Sequence, residues 1–424
     1  MKRATLVLLM ASTLSAQVQK LSLEEARELA LKNHPNIQAV DYAAQAAGEL
    51  SKQIRSALYP QLTGGLVSSI ADDGSRMAFM GLQSSTLFSR VGVGLGLSQL
   101  VSDFGRTKLL AQSAGTRAEA QREQIKTSRL QVLAGVDRTY YSLLRARSIV
   151  GVAEQTVKAR QLIVDQVSAL AESKLRSTLD VSFAKVNLSD AQLLLSRAKN
   201  EVDSSEADFA LALGFGSKQQ FDIDDRPLND QLPTEVEDLV KKAAGERPEI
   251  RQLVLELQAA GQMLESEKRL NKPVISVLGV GGAMPWSNGS PYPNHYGALG
   301  AAVSIPLFNG HLFESRQTEA ALRMRALEKL QLERNNQIAR DVRVAYLNAR
   351  NAFERLNLTQ ELVTQANLSL DLAQSRYDLG LGSIVELSQA QLSQTAAVVA
   401  NASARYEYQI MRSALRFQIG EGVL

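Results

Sequence analysis

The 424-residue chain contains no cysteine, one tryptophan and three histidines. The absence of cysteine excludes disulfide bonds, thiolate metal sites, cysteine nucleophiles and a cysteine-linked lipid anchor. His34, His295 and His311 are too scattered along the chain to indicate a histidine-rich metal site. No Ser/His/Asp set, HExxH motif or acidic metal cluster is present either. We therefore expect no enzyme activity, no metal and no cofactor.

The chain also lacks an excess of either charge and lacks long apolar runs. Its 47 Lys and Arg residues nearly balance 44 Asp and Glu residues, which gives a net charge of +3. This balance argues against a nucleic-acid partner, which would require a basic surface. Beyond the N-terminus no run of 18 or more apolar residues occurs, so the sequence predicts no membrane-spanning helix. Any membrane crossing would have to be made by strands.

The first 16 residues have the pattern of an export signal. Lys2 and Arg3 form a basic start, residues 4–14 are apolar, and Ala16 is a small residue suited to cleavage before Gln17. We expect residues 1–16 to be removed on export. The alternative is an uncleaved N-terminal anchor.

The rest of the chain is an internal duplication. Residues 99–214 align with residues 305–420 without a gap, at a constant offset of 206 residues. Four of the identical pairs are Arg117 with Arg323, Tyr140 with Tyr346, Asp165 with Asp371, and Gly214 with Gly420. We expect a first repeat at 17–214, a linker at 215–233, a second repeat at 234–420 and a short tail at 421–424.

Each repeat opens with two short helices. Ser22 with Glu25, and Thr234 with Glu237, have the spacing of a capping box, in which a hydroxyl and a carboxylate satisfy each other's backbone donors. The second helix follows Pro35 or Pro248 and ends before the next proline.

A β-hairpin follows in each repeat, at about 61–101 and about 273–308. Its second strand alternates apolar residues with Gly, Ala or Ser, which predicts one apolar face and one face of very small groups. The apolar positions, which we expect to face lipid, are Val91, Val93, Leu95 and Leu97 in the first repeat, and Leu299, Val303 and Ile305 in the second.

Two long helices are predicted next, at about 103–172 and about 309–379, with Asp103 and Asn309 as N-cap residues. Each would be about 100 Å long. Their apolar residues recur every seven positions, which indicates helices supercoiled against neighbours. The recurring positions are Val136, Leu143, Val150, Val157 and Val164, and then Val342, Ala349, Leu356, Val363, Leu370 and Tyr377. Return helices at about 177–213 and about 383–419 end at Gly214 and Gly420.

The fold class is therefore mixed but mainly α, with long coiled-coil helices and four strands. A four-stranded sheet with free edges cannot lie in lipid, because its edge backbone groups would be unsatisfied. Two chains would supply eight strands to a closed barrel, and three chains would supply twelve. A barrel of twelve strands is wide enough to leave a lumen, which small side chains would keep open.

The sequence resembles the TolC-like outer-membrane efflux family. The resemblance lies in the segment from Leu21 to Pro35, the strand openings after Pro60 and Pro273, the segment 305–310 and the segment 376–383. It implies a homotrimer in the bacterial outer membrane, with a 12-stranded β-barrel in lipid and a large periplasmic α-helical barrel. It also implies a passive export duct for a tripartite efflux or type I secretion system, whose partners are a periplasmic adaptor and an inner-membrane pump or ABC transporter.

The same resemblance assigns site residues at the turns between long and return helices. Tyr377, Asp180 and Glu386 fall on the periplasmic aperture. The adaptor-facing tip falls on Arg376, Gly380, Gly382, Ser383 and Ser177. Some members of the family place a gating Arg where this chain has Gly382, which suggests a weaker or differently held entrance.

Other interpretations of these residues remain open. Asp180 and Glu386 each lie three residues after a serine and fit a capping box at the start of a return helix, a purely structural role. Tyr377 continues the seven-residue pattern and fits a core position, while Gly380 and Gly382 fit a tight turn. For the whole protein, the alternative is an exported coiled-coil scaffold without a pore. The sequence does not indicate the transported substrate.

Overall fold

A computed structural model describes residues 20–70, 76–79, 82–86, 89–217, 219, 221–225, 235–287 and 293–421. The expected export signal at 1–16, Thr234 of the second capping box, most of the linker and residues 422–424 of the tail lie outside the described residues.

Eight helices and eight strands occur in the described residues. The helices are α1 (Leu23–Asn33), α2 (Pro35–Ser56), α3 (Arg106–Glu172), α4 (Thr178–Ala212), α5 (Val236–Glu246), α6 (Pro248–Glu267), α7 (Leu312–Asp378) and α8 (Ile384–Gln418). The strands are β1 (Lys20–Leu21), β2 (Gln61–Ser69), β3 (Arg76–Phe79), β4 (Leu82–Thr86), β5 (Arg90–Ser102), β6 (Asp222–Ile223), β7 (Val274–Ser287) and β8 (His295–Ser304). The expectation of four strands was too low, because β1 with β6 and β3 with β4 form two further small sheets.

Two compact units divide the chain, and each contains parts of both repeats. We call one the sheet unit (Gln38–Thr127 and Arg247–Gln337) and the other the helical unit (Met1–Ile37, Ser128–Glu246 and Ile338–Leu424). The duplication therefore does not produce two domains side by side along the sequence.

The main sheet of the sheet unit has the order β2-β5-β7-β8 and is antiparallel throughout. Its central pair, β5 with β7, joins the hairpin of the first repeat to that of the second. Ser113 Oγ donates to the Ala259 carbonyl at 2.7 Å, and Arg316 forms an ion pair with the buried Glu267 at 2.8 Å. These bonds link α3 and α7 to α6 within the same unit.

Both long helices begin three residues later than expected, at Arg106 and Leu312. The cause is a turn in which two successive residues have positive φ, Phe104 with Gly105 and Gly310 with His311. Asp103 still caps α3, since its carboxylate accepts from the Gly105 N–H at 3.0 Å and the Thr107 N–H at 2.7 Å.

The core of the helical unit lies where α1, α3, α4 and α8 meet. It contains Val136, Tyr140, Leu143 and Phe209, all at most 3% exposed. Tyr140 Oη donates to the carbonyls of Leu21 and Asp224, so it ties the β1–β6 pair to this core. The capping box of α1 at Ser22 and Glu25 is present as predicted.

Small residues continue the seven-residue spacing along the return helices. α4 buries Ala184, Ala191 and Ala198, and α8 buries their repeat mates Ala390, Ala397 and Ala404. Alanine at these positions lets two helices approach closely. The Asn187 amide donates to Ser388 Oγ at 2.8 Å inside this seam, which favours one register of α4 against α8.

Candidate functional site

The turn between α3 and α4 and the turn between α7 and α8 have the same construction and lie in the helical unit. We call residues 173–177 the first turn and residues 379–383 the second turn. In the first turn Leu175 N–H donates to the Leu170 carbonyl at 2.9 Å; in the second, Leu381 N–H donates to Arg376 at 2.8 Å. The residue that reverses the chain has positive φ in both, Lys174 at 58° and Gly380 at 74°.

The two glycines of the second turn have separate reasons to be glycine. Gly380 has the left-handed φ that favours a residue without Cβ. At Gly382, an added Cβ would lie 3.2 Å from Arg376 Cβ and 3.2 Å from the Tyr377 nitrogen. The turn therefore accounts for both glycines. Their expected contact with an adaptor remains a prediction.

The serines of both turns are N-caps, but neither forms the reciprocal capping box that their spacing suggested. Ser177 Oγ accepts from the Leu179 N–H at 3.1 Å, and Ser383 Oγ accepts from the Glu386 N–H at 3.2 Å. The Glu386 carboxylate instead accepts from Arg376 Nε at 3.0 Å. Asp180 has no side-chain hydrogen bond or ion pair with any described residue, so its charge lies free on the first turn of α4.

Tyr377 lies in a second, smaller hydrophobic cluster of the helical unit, beside the two turns, and this burial agrees with its place in the seven-residue pattern. Its side chain is 4% exposed and packs with Val167, Ile384 and Leu387. Its hydroxyl is buried without a hydrogen-bond partner among the described residues. Burial raises the pKa of Tyr377, and the nearby carboxylates of Asp180 and Asp378 act in the same direction against Arg176.

Arg176 connects the first turn to the end of α7 from which the second turn starts, and the sequence analysis missed it. Its guanidinium lies over the Tyr377 ring, 4.2 Å from the ring centroid, and donates to the Tyr377 carbonyl at 2.6 Å. The repeat alignment could have pointed to Arg176, because it aligns with Gly382, the position in the second turn where some members of the TolC-like family place an arginine. The arginine that is absent from the second turn is thus present in the first.

One face of the main sheet carries exposed apolar side chains at the expected positions. Leu95 is 56% exposed, Leu299 is 78% exposed and Val303 is 60% exposed. A Cβ added at Gly279 would touch both Leu97 and Leu299, so these two side chains lie on the same face. Val93 is exposed as well, whereas Val91 is half-buried. Ile305 lies one residue beyond the end of β8 and is not a strand residue.

The opposite face is less uniform than its glycine pattern predicts. Gly92, Gly94 and Gly96 do line it, but Tyr296 Oη lies against Gly94 and Gly282, where a Cβ would not fit. A cavity of about 670 Å³ opens on this face between these glycines, Val280 and Tyr296. The small residues on β5 therefore leave space above this side of the sheet.

Helices able to cross a membrane are absent from the described part of the chain, since none combines sufficient length with sufficient hydropathy. Within the same residues, no three Asp, Glu or His side chains are grouped as ligands for a metal ion.

Known proteins resemble this chain over nearly its whole length. The family model described as outer membrane efflux protein matches residues 26–215 and 239–421. TtgC of Pseudomonas putida, a probable efflux pump outer membrane protein, is 24% identical over 318 residues, which cover 72% of this chain and 64% of TtgC. TolC of Escherichia coli is 20% identical over 421 residues, which cover 96% of this chain and 84% of TolC.

Solved structures share the fold. The outer membrane protein VceC of Vibrio cholerae superposes with a TM-score of 0.78 at 18% identity, covering 95% of this chain and 97% of VceC. The family match extends through both repeats and includes both turns and all four strands of the main sheet. The chain therefore belongs to the family of outer membrane efflux proteins, and its location is the bacterial outer membrane.

Proposed function

We propose that the protein is the outer-membrane channel of a tripartite efflux or type I secretion system. It would act as a passive duct from a periplasmic adaptor and an inner-membrane pump or ABC transporter to the exterior. The observation that carries this proposal is the open sheet β2-β5-β7-β8, which exposes leucine and valine on one face and has glycine-lined space on the other. An exported scaffold without a pore has no use for such a face.

The proposed assembly is a homotrimer whose four-stranded sheets join into one 12-stranded barrel. Among the described residues, β2 and β8 are sheet edges with one paired side each. In lipid the free backbone groups of such an edge would each cost several kcal/mol, so the β8 edge of one copy must meet the β2 edge of the next. Three copies leave a lumen, and the small residues of β5 keep it open.

The proposed entrance lies at the paired turns. Tyr377, Asp180 and Glu386 would surround the periplasmic aperture, and Arg176 would hold the two turns together by its contacts with Tyr377. Arg376, Gly380, Gly382, Ser383 and Ser177 would form the tip that faces the adaptor. Arg376 and Glu386 are about half exposed and form an ion pair, so both can exchange partners when an adaptor docks.

The transported compound would be chosen by the pump, since a wide water-filled duct discriminates little. Relatives carry names that refer to toluene, antibiotic and solvent efflux. We propose small organic compounds of this kind as the cargo class. Export of such compounds, measured in a strain that lacks its own channel but retains the pump and adaptor, tests this point.

The lipid-facing assignment can be tested with two neighbouring positions on opposite faces of β8. Leu299→Arg places a charge on the apolar face, where about 2–4 kcal/mol is lost at the membrane midplane. Gly300→Arg is the matched control, because no atom lies within 4 Å of the added Cβ and the side chain points to the other face. The trimer recovered from outer membranes should fall strongly for Leu299→Arg and little for Gly300→Arg. Equal losses would contradict the assignment of faces.

A further inference from the structure

The helical unit contains a groove of about 940 Å³ between α3, α7 and α8. Leu162, Ile163, Leu170 and Leu370 give it apolar walls. The two most buried side chains of its lining are both polar, Arg160 on α3 and Gln391 on α8, at 6% and 3% exposure. A volume of this size lies within the range of sites for drug-sized ligands, about 300–1,000 Å³.

Arg160 is a buried charge without a counter-charge. It forms no ion pair with any described carboxylate, and its one hydrogen bond goes from Nη2 to Thr395 Oγ1 at 3.2 Å. Burial lowers the pKa of Arg160 to about 10, so the guanidinium stays charged at neutral pH. A guanidinium has five N–H donors, and most of these are left for another acceptor.

Packing does not explain why an arginine stands at this position. Arg160 continues a seven-residue series with Ala146, Ala153 and Val167, and its repeat mate is the buried Ala366. Alanine is therefore sufficient for the same position in the second repeat. A buried unpaired charge destabilises a protein unless an anion or hydrogen bonds compensate it.

Gln391 adds an unpartnered amide beside this charge. Its side chain is buried, at 3% exposure, and has no hydrogen-bond partner among the described residues. Its repeat mate Lys185 is exposed. The groove thus holds a guanidinium and an amide, both able to donate hydrogen bonds, between leucine and isoleucine walls.

We propose that this groove binds an amphiphilic monocarboxylate, a molecule with one carboxylate on an aliphatic body. Arg160 would bind the carboxylate through its forked donors, and Gln391 would donate a further hydrogen bond to it. The aliphatic body would lie along Leu162, Ile163 and Leu170. The carboxylates of Asp371 and Asp378 also line the groove, are exposed, and disfavour ligands with several negative charges. The groove adjoins the cluster around Tyr377, because Ile163 and Leu370 pack against it, but its proposed ligand contacts use none of the aperture or tip residues.

Equilibrium dialysis with radiolabelled decanoate tests the proposal on the full protein in lipid nanodiscs. Empty nanodiscs give the amount taken up by lipid, which is subtracted. We expect saturable binding of one decanoate per chain. Decanol, which has the body without the charge, and acetate, which has the charge without the body, should each compete at least tenfold more weakly. Absence of saturable binding would show that the assembled protein closes the groove and would overturn the proposal.

Variants assign the binding to the two polar residues. Arg160→Ala, which introduces the residue of the second repeat, should weaken decanoate binding at least tenfold, and Gln391→Leu about threefold. The controls are Lys185→Leu and Arg197→Ala, exposed positions on α4 outside the groove, which should leave binding unchanged. Should Arg160→Ala fail to fold by circular dichroism, Arg160→Met and Gln391→Leu make the same test. Unchanged affinity in the folded variants would overturn the proposal.

Discussion

Arg176 shows how one side chain holds two loops that are distant in sequence. Its stacking on the Tyr377 ring and its bond to the Tyr377 carbonyl fix the first turn against the C-terminal end of α7, directly before the second turn. A cation over an aromatic ring contributes about 0.5–2 kcal/mol, and a hydrogen bond from a charged donor about 1.5–3 kcal/mol. This contact therefore adds a polar tie to the apolar cluster that packs the same two helix ends together.

Removing this contact should loosen the turns without unfolding the protein. Arg176→Ala should increase amide hydrogen exchange at residues 377–383, because the opening free energy of that turn falls by about 1–3 kcal/mol. Lys185→Ala, an exposed control on α4, should leave exchange there unchanged. Equal exchange in Arg176→Ala and the wild type would show that the contact does not hold the second turn.

The hydroxyl of Tyr377 should be dispensable for stability, unlike its ring. Tyr377→Phe removes a buried oxygen that has no partner, so the thermal unfolding temperature should stay the same or rise. Tyr377→Ala leaves a cavity beside Leu387 and Val167, and should cost about 3–5 kcal/mol. A clear loss of stability in Tyr377→Phe would mean that the hydroxyl bonds to a group in the assembled protein.

If Asp180 and Glu386 line the proposed aperture, the two carboxylates should contribute unequally to ion selectivity. Glu386 forms an ion pair with Arg376, whereas no described residue pairs with Asp180. In planar-bilayer recordings, Asp180→Asn should therefore reduce cation selectivity more than Glu386→Gln. Unchanged selectivity in both variants would leave these residues as helix-terminal groups without a role in the pore.

At the scale of single elements, the repeat alignment gives a matched pair of turn residues. Gly380 and Lys174 have the same left-handed conformation, but only glycine adopts it without strain. Gly380→Ala should cost about 1–2 kcal/mol, and Lys174→Gly should be neutral or stabilise by up to about 1 kcal/mol. Thermal unfolding of both variants measures the difference. Similar destabilisation by both would contradict the assigned turn geometry.

Helices and their caps were the elements most accessible to sequence reasoning. These features depend on residues that are close together in the sequence, so local patterns are enough to predict them. They are the seven-residue apolar spacing, the capping box at Ser22, and the helix-terminal Gly214 and Gly420. The start of α3 was predicted too early because Phe104 has positive φ. Nothing in the sequence indicates this conformation, which aromatic residues rarely adopt. The strand pair β1–β6 was missed because each strand has two residues and no alternation to detect.

Contacts between distant segments were beyond the reach of sequence patterns. Tyr296 follows a sequence segment rich in Gly, Asn and Pro and had no partner assigned, yet it fills the space left by Gly94 and Gly282 on neighbouring strands. Asn187 with Ser388, and Arg176 with Tyr377, likewise join positions about 200 residues apart. Only the positions that the duplication relates, such as Arg176 and Gly382, carried a sequence signal for such a contact.

At the scale of the whole molecule, the main sheet has two inner strands, β5 and β7, which are paired on both sides, and two edge strands, β2 and β8. The pairing of β5 with β7 joins the two repeats. Among the described residues β2 and β8 are each paired on one side, and the proposed duct uses their other sides to join neighbouring copies. The absence of cysteine makes introduced cysteine pairs easy to interpret, since no native thiol competes.

An electron cryomicroscopy map of the detergent-extracted protein tests the proposed duct most directly. The proposal predicts a particle of three chains in which β8 of each copy pairs with β2 of the next, closing 12 strands around an open lumen. Leu299 should face the detergent and Gly300 the lumen. A particle with unpaired β2 and β8 edges, or a filled centre without a continuous passage, would contradict the account.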